Sequence, residues 1–105
     1  MIRDATETTT LDEINQISDK KRVLLAFKSP TCGPCRKLVP ILEEADKEAG
    51  DDAEIIKVDV TVNPVLATQF HVDTVPFLTV VENRSVLCQS LGFRSKQDII
   101  NLLKF

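Results

Sequence analysis

The sequence lacks the features of a membrane or exported protein. No apolar run approaches the roughly 18 residues that a transmembrane helix needs. The N-terminal stretch MIRDATETTTLDEI has neither the basic segment nor the apolar segment of a signal peptide, so we expect none here. We therefore expect a cytoplasmic protein that does not bind membranes, in a compartment where thiols stay reduced.

Cysteines are few, and charges of the two signs are nearly balanced. The three cysteines are too few for a disulfide framework, and the odd one needs its own explanation. The chain has no long run of like charges, and its net charge of −3 argues against a nucleic-acid-binding surface. Repeats, low-complexity segments and internal linkers are absent as well, so we expect a single domain over residues 1–105.

What is present alternates between helical periodicity and short apolar runs. Thr10 and Glu13 resemble a capping box and predict a first helix near residues 10–20. The pattern then predicts a strand at 23–27 and a helix from 32 to about 49, which Pro40 should kink. A strand at 54–60 and a short helix from 63 to about 71 follow. The chain is predicted to end with two strands, at 77–81 and 86–91, around a turn and with a helix capped by Ser95. A short edge strand before the first helix is compatible with this order.

Buried strands joined by helices imply a parallel β–α–β unit, and the late pair of strands adds a hairpin. We therefore predict an α/β fold, in which a central mixed sheet of four to five strands is flanked by four helices.

The motif Cys32-Gly33-Pro34-Cys35 lies where the first predicted strand meets the second helix. A C-x-x-C motif in this context is typical of redox-active thiols. Cys32 is expected at a helix N-terminus, where unpaired N–H groups and the helix dipole favour a thiolate. The alternative is a structural or zinc-binding pair, but zinc needs four ligands and only Cys88 and His71 remain, far along the chain.

This sequence resembles the thioredoxin family over nearly its full length. The resemblance rests on the CGPC motif, Pro40, Asn63-Pro64, Val75-Pro76 and Gly92, which have thioredoxin-like spacing. It implies a thioredoxin fold and a protein-disulfide reductase, with Cys32 as attacking thiolate and Cys35 as resolving thiol of a redox disulfide. It also implies a monomer with no bound cofactor and no metal, which reduces disulfide-containing proteins and receives electrons from a thioredoxin reductase.

By the same resemblance, Pro76 corresponds to the cis-proline of the family, and the Val75 backbone would pair with an extended substrate. The implied docking patch has five members: Gly33, Pro34, Val75, Pro76 and Gly92.

Four positions depart from the family pattern. Thr31 stands where thioredoxins usually have Trp, and Lys28 replaces another aromatic residue. Ala26 replaces a buried Asp that normally neighbours a Lys, here Lys57. Asp59, the carboxylate nearest to Lys57 in sequence, lies on the same face of the strand, so we expect it to compensate in part.

The fourth departure is His71, where a Gly usually ends the helix in a left-handed conformation. His71 is interpreted as a helix terminus or a catalytic group, and Lys57 as a solvated or a functional lysine. Cys88 is either an inert, buried cysteine or a regulatory or dimer-forming thiol. For the whole chain, the alternative to a general reductase is a specialised protein that serves few partners or acts as a docking subunit.

Overall fold

A computed structural model describes residues 1–104 and contains five strands and four α-helices. In chain order they are β1 (Ile2–Asp4), α1 (Leu11–Ser18), β2 (Arg22–Lys28), α2 (Gly33–Ala49), β3 (Ala53–Asp59), α3 (Pro64–Gln69), β4 (Phe77–Glu82), β5 (Ser85–Leu91) and α4 (Lys96–Lys104). A 3-10 turn (Gly50–Asp52) joins α2 to β3. The predicted order is confirmed, and the short edge strand is present as β1.

The five strands form one mixed sheet in the order β1-β3-β2-β4-β5. β1 and β2 run parallel to β3, whereas β4 runs antiparallel to both β2 and β5. The carboxyl ends of β2 and β3 therefore lie at the same edge of the sheet. The C-x-x-C motif lies at this edge, because it comes shortly after the end of β2.

β2 is buried on both faces, which explains its continuous apolar sequence. Leu24 and Ala26 contribute to the core beneath α2 and α4. Val23, Leu25 and Phe27 contribute to the core beneath α1 and α3. β2 is thus fixed by packing from both sides, and its carboxyl end is a rigid support for the residues that follow.

Side-chain caps begin three of the helices at the predicted residues. The Thr10 hydroxyl accepts from the Glu13 N–H at 3.2 Å, and the Ser95 hydroxyl accepts from the Asp98 N–H at 3.2 Å. The side chain of Asn63 accepts from the Leu66 N–H at 3.1 Å. Each cap satisfies a backbone donor that the first helical turn leaves unpaired.

His71 has a φ of 59°, so it adopts the left-handed conformation that we predicted for this helix end. The Val72 N–H bonds to the Ala67 carbonyl at 2.8 Å and the His71 N–H bonds to the Thr68 carbonyl at 3.1 Å, which together form a Schellman motif. The predicted hairpin turn is also present, with positive φ at Asn83 and Arg84. None of the helices within residues 1–104 is both long enough and apolar enough to cross a membrane.

Candidate functional site

The site is built where β2 ends and α2 begins. The chain leaves β2 at Lys28 and turns back, with the Cys32 N–H bonded to the Ser29 carbonyl at 3.3 Å. Cys32 has extended backbone angles and is the N-cap of α2, and its sulfur accepts from the Cys35 N–H at 3.2 Å. A cysteine sulfur therefore occupies the place that a Ser or Asp oxygen takes in an ordinary cap.

Cys32 and Cys35 form a disulfide across the first turn of α2, with their Cα atoms 5.2 Å apart. The two cysteines differ in exposure: Cys32 is half-buried, whereas only 3% of the Cys35 surface reaches solvent. An incoming group therefore reaches the sulfur of Cys32 more easily than that of Cys35.

The segment that carries the disulfide is rich in cations. The first turn of α2 has no acidic residue, and between Lys28 and Glu43 the sequence has cations but no carboxylate side chain. Arg36 is fixed at the turn because its Nη2 donates to the Pro30 carbonyl at 2.8 Å. Together with the helix N-terminus, these charges favour the thiolate form of a reduced cysteine.

The predicted docking residues lie in two groups. Gly33 and Pro34 are exposed on the first turn of α2, beside the cysteines. The second group surrounds the Val75–Pro76 peptide bond, which is cis. Here the Gly92 N–H, on a residue with φ of 96°, donates to the Pro76 carbonyl at 2.8 Å.

Val75 itself is half-buried and belongs to neither a strand nor a helix. Its peptide N–H and C=O form no hydrogen bond with any other residue of the 1–104 segment. The backbone N–H and C=O of Val75 are consequently free to form hydrogen bonds with an added chain.

Ala26 lies in β2 with only 2% of its surface exposed, in the same core cluster as Leu38 of α2. In the parallel register it is adjacent to Lys57 of β3. The half-buried Lys57 ammonium lies 3.7 Å from a carboxylate oxygen of Asp4.

Lys57 thus pairs with Asp4 and not with Asp59, the carboxylate nearest to it in sequence. Asp4 lies opposite Lys57 in the β1–β3 register, whereas Asp59 is two residues further along β3. The Asp59 carboxylate instead accepts from both the hydroxyl of Thr61 at 2.6 Å and its N–H at 2.8 Å. The Thr61 side-chain bond is the main cause that lowers the pKa of Asp59, and the charge of Lys28 contributes in the same direction.

A pocket of about 160 Å³ opens beside the disulfide, and no pattern in the sequence led us to expect it. Its lining residues are Lys28, Ser29, Pro30, Cys35, Arg36 and Val39. One feature of the sequence could have indicated the pocket: Lys28 and Thr31 stand at positions where the family usually has large aromatic side chains. Thr31 is exposed beside this pocket's turn and does not line it.

The remaining candidates are set apart from the disulfide in sequence and in contacts. Cys88 is a free, half-buried cysteine of β5 that packs against the core beneath α2 and α4. His71 is exposed at the end of α3. Within residues 1–104, no three His, Cys, Asp or Glu side chains come together as a group that could hold a metal ion.

The family model for thioredoxin matches residues 4–105. The chain belongs to the thioredoxin family. Thioredoxin from Bacillus subtilis is 40% identical over 81 residues, which cover 77% of this chain and 78% of that protein. Thioredoxin from Listeria monocytogenes is 32% identical over 99 residues, which cover 94% of this chain and 92% of that protein.

Solved thioredoxin structures share the fold. A mutant thioredoxin from Halobacterium salinarum superposes with a TM-score of 0.84 at 26% identity, over 98% of this chain and 88% of that one. The fold, the family and the Cys32–Cys35 pair together make this protein a dithiol/disulfide oxidoreductase. These comparisons give no support to the alternative of a specialised protein that serves few partners or acts as a docking subunit.

Proposed function

We propose that this thioredoxin reduces protein disulfides with Cys32 as the attacking thiolate and Cys35 as the resolving thiol. The single observation that carries these roles is the difference in exposure between the two bonded cysteines. Cys32 is accessible and caps a helix, whereas Cys35 is buried one turn later with its N–H directed at the Cys32 sulfur. The accessible sulfur meets the substrate, and the buried sulfur reacts only within the protein.

The reaction consists of two thiol–disulfide exchanges. The Cys32 thiolate attacks one sulfur of the substrate disulfide, which forms a mixed disulfide and releases the other substrate sulfur as a thiolate. The thiolate of Cys35 then attacks the Cys32 sulfur, which closes the Cys32–Cys35 disulfide and releases the second substrate thiolate. Two electrons pass to the substrate, and the two protons lost by the cysteines equal those gained by its thiols.

Docking of the substrate is assigned to the patch of Gly33, Pro34, Val75, Pro76 and Gly92. The free peptide unit of Val75 supports this assignment, because an extended substrate segment can bond to it as an added strand. Gly33 and Pro34 are exposed and uncharged, so they let a chain approach the Cys32 sulfur closely.

A thioredoxin reductase is the proposed source of electrons, since the oxidised protein must be reduced before each cycle. We propose that the protein works in the cytoplasm as a monomer, without a bound cofactor and without a membrane or nucleic-acid partner. The net charge of −3 supports the last point.

The test is reduction of insulin disulfides with dithiothreitol or with thioredoxin reductase and NADPH. We expect turnover that is lost in Cys32→Ser and in Cys35→Ser and retained in Cys88→Ser. Turnover that persists without Cys32, or that is absent from the unmodified protein, would contradict the proposed function.

A further inference from the structure

The pocket beside Cys35 is walled by two cations. Lys28 ends β2 and Arg36 lies in the first turn of α2, so both are held by regular secondary structure. Ser29, Pro30 and Val39 complete the wall with one hydroxyl group and apolar surface. Cys35 lines the pocket and is bonded to Cys32, so the pocket lies on the Cys35 side of the disulfide.

Neither cation forms an ion pair with a residue of the 1–104 segment. Within the described chain the Lys28 ammonium forms no hydrogen bond and no ion pair, and it acts on Asp59 only through space. The Asp59 carboxylate is already bonded to Thr61. The Arg36 guanidinium makes one hydrogen bond within residues 1–104, to the Pro30 carbonyl, which leaves most of its donors open to a ligand.

The charge around this pocket is opposite to the charge of the whole molecule. The chain carries a net charge of −3, yet the segment from Lys28 to Leu42 contains three cations (Lys28, Arg36 and Lys37) and no acidic residue. Asp59 lies opposite Lys28 in the β2–β3 register, but it does not line the pocket. A local positive potential on an acidic protein attracts acidic partners to that face and repels basic ones. The site thus carries charge complementarity for one class of substrate.

We infer that the pocket selects protein substrates in which an acidic side chain lies close to the reactive disulfide. The carboxylate of a Glu or Asp near the attacked cysteine enters the pocket and pairs with Lys28 and Arg36, while the substrate sulfur meets Cys32. Lys28 and Arg36 are then specificity-determining residues. This inference rests on the proposed function, because it needs substrate disulfides to react at Cys32.

The experiment uses the reduced full-length protein and three cyclic disulfide peptides that differ only at the positions flanking one cysteine, where they carry Glu, Gln or Lys. Second-order rate constants are measured by acid quenching and chromatography of the reduced peptide. We expect the Glu peptide to react about three- to tenfold faster than the Gln peptide, and the Lys peptide to react slowest. The ratio of Glu to Gln rates should fall as salt is raised.

Two double variants test whether Lys28 and Arg36 cause the difference between the peptide rates. In Lys28→Met/Arg36→Met we expect the Glu-to-Gln ratio to fall to near one. The control Lys20→Met/Lys47→Met removes the same two charges at exposed positions that do not line the pocket, and it should keep the original ratio. Using the ratio cancels any common effect of the lost charges on the Cys32 thiolate.

The possible failures are distinct. Equal rates for the three peptides would overturn the inference and leave the proposed function intact. An unchanged ratio in Lys28→Met/Arg36→Met would overturn the assignment to this pocket. If none of the peptides were reduced, the proposed function itself would be overturned and the inference with it.

Discussion

Ala26 of β2 lies beside Lys57 of β3 in the parallel register of the sheet, and only 2% of Ala26 is exposed. A methyl group therefore occupies a buried position next to a lysine, in the core that packs against α2. The ammonium of Lys57 is directed to Asp4 at the sheet edge. No negative charge lies at position 26 to act on the resolving cysteine.

Restoring a carboxylate at this position should change the titration of Cys35. In Ala26→Asp we expect the pKa of the Cys35 thiol to be higher than in the parent, because a nearby negative charge disfavours a second one. Thiol titration by NMR of the reduced proteins measures this difference. Ala26→Asn matches the size of the Asp variant without its charge and should behave like the parent, so equal Cys35 values in the Asp and Asn variants would refute the expectation.

Asn63 connects α3 to the loop after β1. It is 3% exposed, its amide donates to the carbonyls of Thr6 and Thr9 at 2.9 Å each, and its oxygen caps Leu66. Asn63→Ala removes the cap and leaves two partly buried carbonyls without a hydrogen-bond donor. We therefore expect a loss of about 2–4 kcal/mol in the free energy of unfolding. Urea denaturation measures it.

The control for Asn63 is Asn101→Ala in α4. Asn101 is exposed, and among residues 1–104 its side chain bonds only to Gln97, one turn earlier. We expect a change within about 0.5 kcal/mol for this variant. A similarly small change for Asn63→Ala would show that its three hydrogen bonds contribute little to the fold.

The Thr61 hydroxyl donates to the Asp59 carboxylate at 2.6 Å. The hydroxyl bond is the largest cause of the lowered Asp59 pKa, so Thr61→Val should raise this pKa toward its ordinary value. A lowered carboxyl pKa stabilises the fold above the ordinary pKa, and that contribution is lost as the pH falls through the lowered pKa. At neutral pH, Asp59 should therefore contribute less to the free energy of unfolding in Thr61→Val than in the parent protein.

The measurement is an NMR titration of the Asp59 carboxyl carbon. Thr68→Val is a suitable control, since the Thr68 hydroxyl bonds to the Pro64 carbonyl within α3 instead. An Asp59 pKa that is the same in the parent and in Thr61→Val would show that the hydroxyl has no such effect.

Cys88 should be dispensable for the reaction. It is half-buried and packs against the core, so we expect slow alkylation of Cys88 in the native reduced protein and fast alkylation in urea. Mass spectrometry of peptides after timed labelling distinguishes Cys88 from Cys32. Native labelling of Cys88 as fast as that of Cys32 would favour the alternative of a regulatory or dimer-forming thiol.

Most of the fold could be predicted because its signals are local. The buried run from Val23 to Phe27, the caps at Thr10 and Asn63 and the left-handed His71 each depend on neighbouring residues. The C-x-x-C motif likewise lies within one helical turn.

The parts that escaped prediction depend on how the strands and helices pack against one another. Asp4 meets Lys57 only because β1 is aligned with β3 in the sheet, and sequence distance had favoured Asp59. The pocket forms where the end of β2 meets α2, so its shape follows from packing. The charged residues of the pocket could nevertheless be identified from the sequence, because Lys28 and Arg36 flank the C-x-x-C motif.

The most direct test of the central claim is to trap the mixed disulfide. In a Cys88→Ser background, Cys35→Ser and Cys32→Ser are each incubated with a disulfide peptide, and intact mass and peptide mapping locate any adduct. We predict a stable adduct on Cys32 in the Cys35→Ser protein and little or none on Cys35 in the Cys32→Ser protein. Equal adducts on both cysteines, or an adduct only on Cys35, would contradict the assignment of Cys32 as the attacking thiolate.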